Sequence, residues 1–191
     1  AVVGGVDRVF EINRNFRNEG MDSSHSPEFT ALEAYEAYSD YNGMADLTRD
    51  LIQQAARDAF DLSEGEEIVR LADGTEYDLS GEWDRIDLYG STSEALGEEI
   101  TVETPRETLV KYAERVGLEV DDYAVSGKIV EDIFEELVGS KLWAPTFVYD
   151  FPEDTSPLTR YHRSRPGLTE KWDLYVRGFE TGTAYSELAD P

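Results

Sequence analysis

A run of unlike polar and aromatic side chains near the N-terminus is the densest candidate for chemistry in this 191-residue chain. It reads Arg14-Asn15-Phe16-Arg17-Asn18-Glu19, and His25, Phe29, Glu33 and Tyr35 follow it. A guanidinium such as Arg17 can fork onto a phosphate or a carboxylate, and an aromatic ring such as Phe29 can lie flat against a base. Glu33 and Tyr35 have the same parity, so on a strand they project from one face and could hold an ammonium group. Taken singly, the same residues also fit a surface ion pair between Arg17 and Glu19, worth about 0–1 kcal/mol, and a core position for Phe29.

Two carboxylates near the C-terminus, Glu180 and Glu187, form the second candidate site. Seven residues of straight strand place two side chains on opposite faces, because successive side chains alternate. The two could share a Mg²⁺ ion only if the backbone turned or bulged between them, which Gly182 would permit. Without such a bulge they are ordinary solvated strand carboxylates.

Composition restricts the remaining chemistry. Cys is absent and there are only 2 His residues, which excludes disulfides, thiolate metal sites, Cys nucleophiles and His-rich metal centres. The net charge is −25, and residues 61–140 alone hold 23 acidic and 6 basic side chains, so the chain as a whole does not suit nucleic-acid phosphates. The single basic run, at 156–167, fits a mobile loop over an anionic ligand and a solvated connection equally well. No secretion signal or membrane-spanning window is visible, so we expect a cytoplasmic location without membrane contact.

Hydrophobic periodicity predicts the elements that must position these residues. Alternation over 7–14 and 29–35 predicts a hairpin with a long polar loop, and Asp73-Gly74 predicts a second hairpin within 68–77. Apolar spacing predicts helices over 44–59 and 129–138, and the capping box Thr104-Pro105-Arg106-Glu107 predicts another that ends at Gly117. Strands are expected over 145–151, 171–179 and 180–188. The fold class is α+β with antiparallel strands, because no βαβ repeat indicates a parallel sheet.

These pieces together resemble the class II lysyl-tRNA synthetases. Motif 2 of that family is similar to Arg14-Asn15-Phe16-Arg17-Asn18-Glu19-Gly20, His25-Ser26-Pro27-Glu28-Phe29-Thr30 and Leu32-Glu33. A later strand and loop of the family resemble Pro145-Thr146-Phe147, Asp150-Phe151-Pro152 and Thr155-Ser156-Pro157-Leu158. Its second carboxylate strand resembles Tyr185-Ser186-Glu187-Leu188. The synthetase part of bifunctional lysyl-phosphatidylglycerol synthetases has a similar motif. The resemblance runs from about Val3 to Pro191.

The resemblance implies a class II antiparallel sheet flanked by helices, incomplete because motif 1 and motif 3 are not in the chain. Residues 1–191 would be a partial catalytic domain, with the motif 2 hairpin and its helix in 1–60, an acidic helical insertion in 61–140 and the later sheet strands in 141–191. We expect that the chain, which does not begin with Met, is a piece of a longer, normally homodimeric protein.

The resemblance also implies roles for individual residues. Arg17 would be catalytic and would bind the ATP α-phosphate and the lysine carboxylate. Glu19, His25 and Phe29 would also bind ATP. Lysine would be bound by Glu33 and Tyr35, and Mg²⁺ by Glu180 and Glu187. The implied reaction is ATP-dependent activation of lysine to lysyl-adenylate and its transfer to tRNA(Lys). Ser26 and Ala189 depart from the Asn usual at those positions of the family. The alternatives are therefore a non-catalytic fragment, or a paralogue that binds ATP and lysine or lysylates a protein or lipid-pathway acceptor.

Overall fold

The computed structural model describes residues 1–18, 20–21 and 25–189 and divides into two compact units, Ala1–Asp40 and Tyr41–Pro191. The first unit, called the ribbon here, contains the predicted N-terminal hairpin: β1 (Arg8–Phe16) pairs antiparallel with β2 (Glu28–Glu36). One turn of 3₁₀ helix, Val2–Gly4, precedes it. None of the described residues of the ribbon is buried, so its order depends on the hydrogen bonds and cross-strand pairs between its two strands.

The larger unit is built around a four-stranded sheet in the order β5-β6-β7-β8. Its strands are β5 (Asp84–Asp87), β6 (Thr146–Tyr149), β7 (Lys171–Val176) and β8 (Phe179–Tyr185). The pairs β6–β7 and β7–β8 are antiparallel as expected, whereas β5 and β6 run parallel. The expectation of a wholly antiparallel sheet is therefore wrong at this edge. The sequence Asp-Arg-Ile-Asp of β5 has a single apolar side chain and shows no alternation from which a strand could be predicted.

Four helices and a small hairpin complete the larger unit. They are α1 (Tyr41–Phe60), the hairpin strands β3 (Ile68–Arg70) and β4 (Glu76–Asp78), α2 (Leu88–Leu96), α3 (Arg106–Arg115) and α4 (Ser126–Leu137), with 3₁₀ turns at Gly139–Lys141 and Glu153–Thr155. The predictions of α1, α3, α4 and the Asp73-Gly74 hairpin are confirmed. Among the described residues, no helix combines the length and apolar composition needed to cross a membrane.

The helices differ from the sequence prediction in two places, one helix that is not predicted and one capping box that does not form. Helix α2 was not predicted because its middle, Gly90-Ser91-Thr92-Ser93, consists of weak helix formers. Asp87 stabilises its start, since the side-chain Oδ1 accepts a hydrogen bond from the Gly90 N–H at 2.7 Å. The predicted capping box at α3 does not form: Pro105 takes the N-cap position, and the Thr104 hydroxyl accepts from the Thr101 N–H instead.

The sheet separates two hydrophobic cores. On one face, residues of α2, α3 and α4 pack together with Val148 and Tyr175 of the sheet. On the other face, α1 and the β3–β4 hairpin pack against Phe147, Trp172 and Leu174. The alternation of β6 and β7 therefore supplies both cores from the same strands. Fully burying a large apolar side chain contributes about 1.5–3 kcal/mol, so these two layers hold the larger unit together.

Candidate active site

One face of the ribbon carries several of the residues that the sequence singles out. The β1–β2 register places Asn15 opposite Phe29 and Glu11 opposite Glu33. Directly paired residues share a face, as do alternate residues of one strand, so Phe29, Glu33 and Tyr35 lie on the same face of the ribbon. The predicted shared face of Glu33 and Tyr35 is therefore confirmed.

Arg17 extends this face just beyond the end of β1. Its backbone N–H donates to the Pro27 carbonyl at 3.0 Å, which prolongs the pairing of the two strands. Its guanidinium carbon lies 5.4 Å from the centroid of the Phe29 ring, a cation–π contact worth about 0.5–1 kcal/mol at an exposed site. Phe29 is only half-buried, so it is not the core residue of the alternative interpretation. The structure thus brings a guanidinium and an aromatic ring together on the face that also carries Glu33 and Tyr35.

The remaining candidates near the ribbon loop are less informative. His25 is described and exposed, whereas Glu19 lies outside the described residues, and with it the expected Arg17–Glu19 ion pair. Arg14 lies on the opposite face from Arg17 and pairs with Glu28, with 2.7 Å between Nη1 and Oε1 and both side chains exposed. Such exposed ion pairs contribute about 0–1 kcal/mol to stability, so the pair of Arg14 with Glu28 is a weak surface contact.

A β-bulge in β8 changes the relation between the two C-terminal carboxylates. Tyr175 pairs with Glu180 and Leu174 with Gly182, so Thr181 is an extra residue on β8. The extra residue shifts the side-chain alternation by one, and from Gly182 onward the odd-numbered residues share the face of Glu180. Glu180 and Glu187, which a straight strand would separate, are thereby directed to the same face.

The extra residue is Thr181, and glycine is not what makes the bulge possible. Gly182 does not have a positive φ, and a Cβ added to it would meet nothing within 4 Å. The condition set for the two glutamates to share an ion, a bulge between them, is met, but Gly182 is not the residue that permits it. The alternation continues beyond β8 because the Ser186 N–H donates to the Glu170 carbonyl at 2.9 Å.

The Glu180 carboxyl shares its surroundings with a buried carboxylate. Asp173 is 4% exposed, and its Oδ2 accepts from Lys171 Nζ at 3.0 Å, while Oδ1 has no hydrogen-bond partner among the described residues. Desolvation and repulsion from Asp173 raise the pKa of Glu180 to about 7, against the opposing charge of Lys171. Glu180 as a whole is exposed, so solvent partly screens this repulsion. A cation at this face would remove the repulsion and stabilise the ionised form.

The donor set at this face fits Mg²⁺ only in combination with another ligand. Among residues 1–18, 20–21 and 25–189, no group of three or more acidic, histidine or cysteine side chains could hold a metal ion alone. Mg²⁺ is usually bound through one or two carboxylates together with substrate phosphates and water. Two glutamates directed to one face, beside an unsatisfied carboxylate oxygen, fit that arrangement.

A buried polar network adjoins Glu187, and no sequence pattern indicates it. The Tyr41 N–H donates to Ser186 Oγ at 3.2 Å, and the Tyr41 hydroxyl donates to Asp150 Oδ1 at 3.1 Å. His162 Nε2 lies 3.4 Å from the same hydroxyl. Burial and the Asp150 charge raise the pKa of Tyr41, so its hydroxyl remains protonated and available as a donor. These residues are far apart in the chain, and no local pattern links them.

The basic run at 156–167 is tied down by ion pairs. Arg165 donates to both Asp87 and Asp150, and Arg163 Nε lies 2.8 Å from Glu170 Oε1. Thr159 forms a β-bridge with Glu187, so the run also lies along the segment that carries the second carboxylate. The run connects β6 to β7 and most of its residues are exposed, so it fits the solvated connection, with Arg163 and Arg165 paired to carboxylates of the larger unit.

A pocket of about 360 Å³ lies elsewhere, between α3, α4 and the segment that joins them. Its lining includes the acidic residues Glu119, Asp132, Glu135 and Glu136. None of the sequence-predicted site residues lines it, and the pocket has no feature beyond its acidity that indicates a ligand. The ribbon face and the β8 carboxylates therefore remain the candidate sites among the described residues.

Comparison with known proteins gives a family and several named relatives. A family model described as "tRNA synthetases class II (D, K and N)" matches residues 1–191. The chain is 60% identical over 191 residues to a protein named "Lysine--tRNA ligase" from Kineococcus radiotolerans, covering 100% of this chain and 37% of that relative. It is 60% identical over 192 residues to the "Lysine--tRNA ligase" of Mycolicibacterium gilvum, covering 100% of this chain and 38% of that relative.

A third relative has a different name. The "Lysylphosphatidylglycerol biosynthesis bifunctional protein LysX" of Gordonia bronchialis is 49% identical over 193 residues, which covers 99% of this chain and 17% of that protein. The chain thus spans a little over a third of the length of the two ligases, and a smaller share of the bifunctional protein.

Proposed function

The chain belongs to the class II tRNA synthetases of the D, K and N group, and on that premise we propose that it forms part of an enzyme that activates lysine with ATP and transfers it to tRNA(Lys). The observation that carries the proposal is the ribbon face, on which Arg17 lies over Phe29 and Glu33 and Tyr35 follow. That face offers an anion site, an aromatic surface and an ammonium site in succession, which are the contacts required by ATP and lysine. The 60% identity with two lysine ligases supports lysine as the amino acid.

The first reaction brings two anions together. The lysine carboxylate attacks the α-phosphorus of ATP, a bond forms between them, and the bond from α-phosphorus to the bridging oxygen breaks to release pyrophosphate. A carboxylate is already ionised at pH 7, so no general base is needed. In our proposal Arg17 contacts the carboxylate and the α-phosphate, reduces their repulsion and stabilises the negative charge on the α-phosphate oxygens in the transition state. A site without a catalytic Cys or His can therefore perform this step.

The other ribbon residues select the two substrates. Phe29 stacks against adenine, Glu19 contacts the adenine end and His25 contacts the γ-phosphate; Glu19 lies outside the described residues. Glu33 accepts hydrogen bonds from the ε-ammonium group of lysine, and the Tyr35 hydroxyl lies at the same subsite. An ammonium group has three donors and no acceptor, so a carboxylate and a phenol oxygen on one face are suitable partners.

Glu180 and Glu187 are the residues that would hold Mg²⁺. The ion would neutralise charge on the ATP phosphates and on the departing pyrophosphate. The protein's own contribution is to keep both carboxylates on one face through the Thr181 bulge. We also propose that the whole protein is a cytoplasmic homodimer, as the family resemblance implies.

The decisive experiment is lysine-dependent ATP–pyrophosphate exchange, measured on the 191-residue chain and on any longer polypeptide that contains it. We expect exchange that requires lysine and Mg²⁺, and Arg17→Ala should lower it at least about 100-fold. Arg14→Ala is the matched control, because Arg14 lies on the opposite ribbon face and should stay within about twofold of the unmodified protein. Exchange that ignores lysine, or that falls equally in both variants, would contradict the proposal.

The relative from Gordonia bronchialis supports a second candidate for the acceptor. Its name indicates lysylphosphatidylglycerol biosynthesis, so the activated lysine of this protein would then enter a lipid pathway. Both candidates share the activation step and differ after it. Supplying lysine, ATP and tRNA(Lys), with and without phosphatidylglycerol vesicles, separates them by the product that carries labelled lysine. Lysine binding without exchange in the longest polypeptide would instead indicate a non-catalytic paralogue.

A further inference from the structure

Tyr41 uses each of its three polar groups on a different segment of the larger unit. Its N–H donates to Ser186 Oγ at 3.2 Å, its carbonyl accepts from Trp172 Nε1 at 2.7 Å, and its hydroxyl donates to Asp150 Oδ1 at 3.1 Å. The residue is 8% exposed, so these bonds are shielded from water. Tyr41 therefore connects the start of α1 with β7, with the end of β6 and with the segment after β8.

The bond to Ser186 satisfies a donor that would otherwise be unpaired. Tyr41 is the first residue of α1, and the first N–H groups of a helix have no acceptor within it. Ser186, 145 positions later, supplies a hydroxyl as the cap. The Ser186 backbone is fixed as well, since its N–H donates to Glu170 O at 2.9 Å and its carbonyl accepts from the Arg160 N–H at 2.8 Å.

The hydroxyl end of Tyr41 is held equally firmly. Asp150 is 7% exposed and has a φ of 66°, a left-handed conformation that Asp tolerates better than most residues. Arg165 donates to its second carboxylate oxygen. His162 Nδ1 accepts from the backbone N–H groups of Ser164 and Arg165 at 3.1 and 3.0 Å, so Nδ1 carries no proton and Nε2 faces the Tyr41 hydroxyl.

Glu187 is one peptide bond beyond this anchored position. Because Ser186 is held through its hydroxyl and both backbone groups, the orientation of the next residue is largely set by the same contacts. Tyr149 adds to the rigidity, since its ring centroid lies 5.2 Å from that of Tyr41. No residue of this network has a role in the substrate contacts proposed above.

We propose that Tyr41 is a positioning residue for Glu187: by linking α1, Asp150 and Ser186, it holds the second metal-binding carboxylate in place. The inference rests on the proposed function for the role of Glu187, but its structural part does not. Tyr41 does not touch substrate or metal. Loss of its hydroxyl breaks the hydrogen bond to Asp150 and loosens the start of α1. The hydrogen bond from the Tyr41 N–H to Ser186 then weakens, and Glu187 is held less firmly.

Hydrogen exchange tests the structural part of the inference without any activity. In Tyr41→Phe, the amides of Arg160, Ser186 and Leu188 should exchange about tenfold faster, since all three are hydrogen-bonded along this segment. Tyr77→Phe is the matched control: Tyr77 is 4% exposed and donates its hydroxyl to the Trp143 carbonyl at 2.6 Å, away from Ser186. Equal acceleration in both variants, or none in Tyr41→Phe, would overturn the inference.

A second pair of variants tests the link itself. Ser186→Ala removes the hydroxyl that accepts from Tyr41, and Ser186→Thr retains one. Ser186→Ala should reproduce the faster exchange of the Leu188 amide, and Ser186→Thr should restore slow exchange. If Ser186→Thr behaves like Ser186→Ala, the hydroxyl contact is not what holds the segment, and the inference fails.

The functional part has its own readout. In the ATP–pyrophosphate exchange assay, Tyr41→Phe should raise the Mg²⁺ concentration for half-maximal rate about five- to tenfold and leave the KM for lysine unchanged, because Glu33 and Tyr35 belong to the ribbon. Tyr77→Phe should leave both unchanged. An equal rise in the lysine KM would mean a general structural effect and would overturn the positioning role. If the unmodified protein shows no ATP–pyrophosphate exchange, only the proposed function is refuted. The structural link between Tyr41 and Ser186 is still decided by the hydrogen-exchange result.

Discussion

The ribbon and the larger unit support their functional residues in opposite ways. In the ribbon, Phe29, Glu33 and Tyr35 stand on one of two paired strands, and no described residue of the ribbon is buried. In the larger unit, Glu180 belongs to a sheet that is covered by a hydrophobic core on each face, and Glu187 follows the last strand of that sheet. Ribbon geometry thus comes from strand register, whereas carboxylate geometry comes from register and packing together.

The difference implies that a substitution in the ribbon can change function without changing stability, whereas a substitution near Glu187 changes both. A ribbon residue such as Arg17 can be changed with little effect on folding, because its loss exposes nothing that was buried. A change near Glu187 affects buried contacts, because Ser186 and Tyr41 are part of the core region. The ribbon face opposite Phe29 also differs from the larger unit, because its apolar side chains are not covered. Phe10, Ile12 and Phe16 are exposed on that face.

The largest expected contrast is between two aromatic residues. Trp172 is 1% exposed and packs edge-on against Phe147 at a centroid distance of 4.7 Å, so Trp172→Ala should lower the free energy of unfolding by about 3–5 kcal/mol. Phe29→Ala in the ribbon should cost less than about 1 kcal/mol, because it removes one exposed cation–π contact. Urea unfolding followed by tryptophan fluorescence for Phe29→Ala, and by circular dichroism for both, measures the difference. Similar losses in the two variants would mean that the ribbon is packed as tightly as the core.

A smaller contrast concerns pH and Mg²⁺. The raised pKa of Glu180 means that the folded state binds this proton more tightly than the unfolded state, so its contribution to stability falls as pH rises from about 4.5 to about 7. Glu180→Gln should remove that fall and raise Tm by about 2 °C at pH 8 without divalent ions. Added Mg²⁺ with ATP should raise Tm in the unmodified chain more than in the variant.

Glu33→Gln is the control for that experiment, because it removes one carboxylate from the ribbon rather than from the sheet. It should leave the rise in Tm caused by Mg²⁺ and ATP unchanged. When lysine is added as a further ligand, Glu33→Gln should weaken only the rise in Tm that lysine causes. If Glu33→Gln and Glu180→Gln lose the same part of the shift, the two regions do not divide the substrates as we propose.

The smallest effect is expected within the ribbon itself. Glu11 and Glu33 are directly paired across the strands, and like charges in that position are destabilising. Glu11→Gln should slow amide exchange in β1 and β2 by about two- to fivefold, without changing the exchange of β7. Arg8→Gln, which breaks the ion pair of Arg8 with Glu36 (2.6 Å), should change exchange in the opposite direction. Slower exchange in β7 as well would show that the ribbon is not energetically separate.

Periodic segments of the sequence predicted their structure well, and segments that depend on distant partners did not. The alternating residues of β1 and β2 and the apolar spacing of α1 and α4 contain their own signal, because burial of one face requires that pattern. Strand β5 and helix α2 lack it: β5 is a strand because it pairs with β6, and α2 is a helix because Asp87 caps it and Leu88 is buried.

The candidate site divides along the same line. Family resemblance and strand parity identified Arg17, Phe29, Glu33 and Tyr35, and the bulge between Glu180 and Glu187 was expected as a condition. The Tyr41 network was missed because each side-chain or backbone contact that Tyr41 makes in it joins residues more than 100 positions apart. Burial of a tyrosine hydroxyl or an aspartate is a tertiary property, and a single sequence contains no local pattern for it.

The Thr181 bulge makes the length of this segment more critical than its composition. A substitution at Thr181 or Gly182 leaves the number of residues unchanged; Thr181 is exposed, and a Cβ added to Gly182 would meet nothing within 4 Å. Deleting Thr181 would restore straight pairing and exchange the faces of every side chain from Gly182 onward. Glu187 would then lie on the opposite face from Glu180, although neither glutamate had been altered. In this part of the protein, insertions and deletions of a single residue should therefore be tolerated far less than replacements.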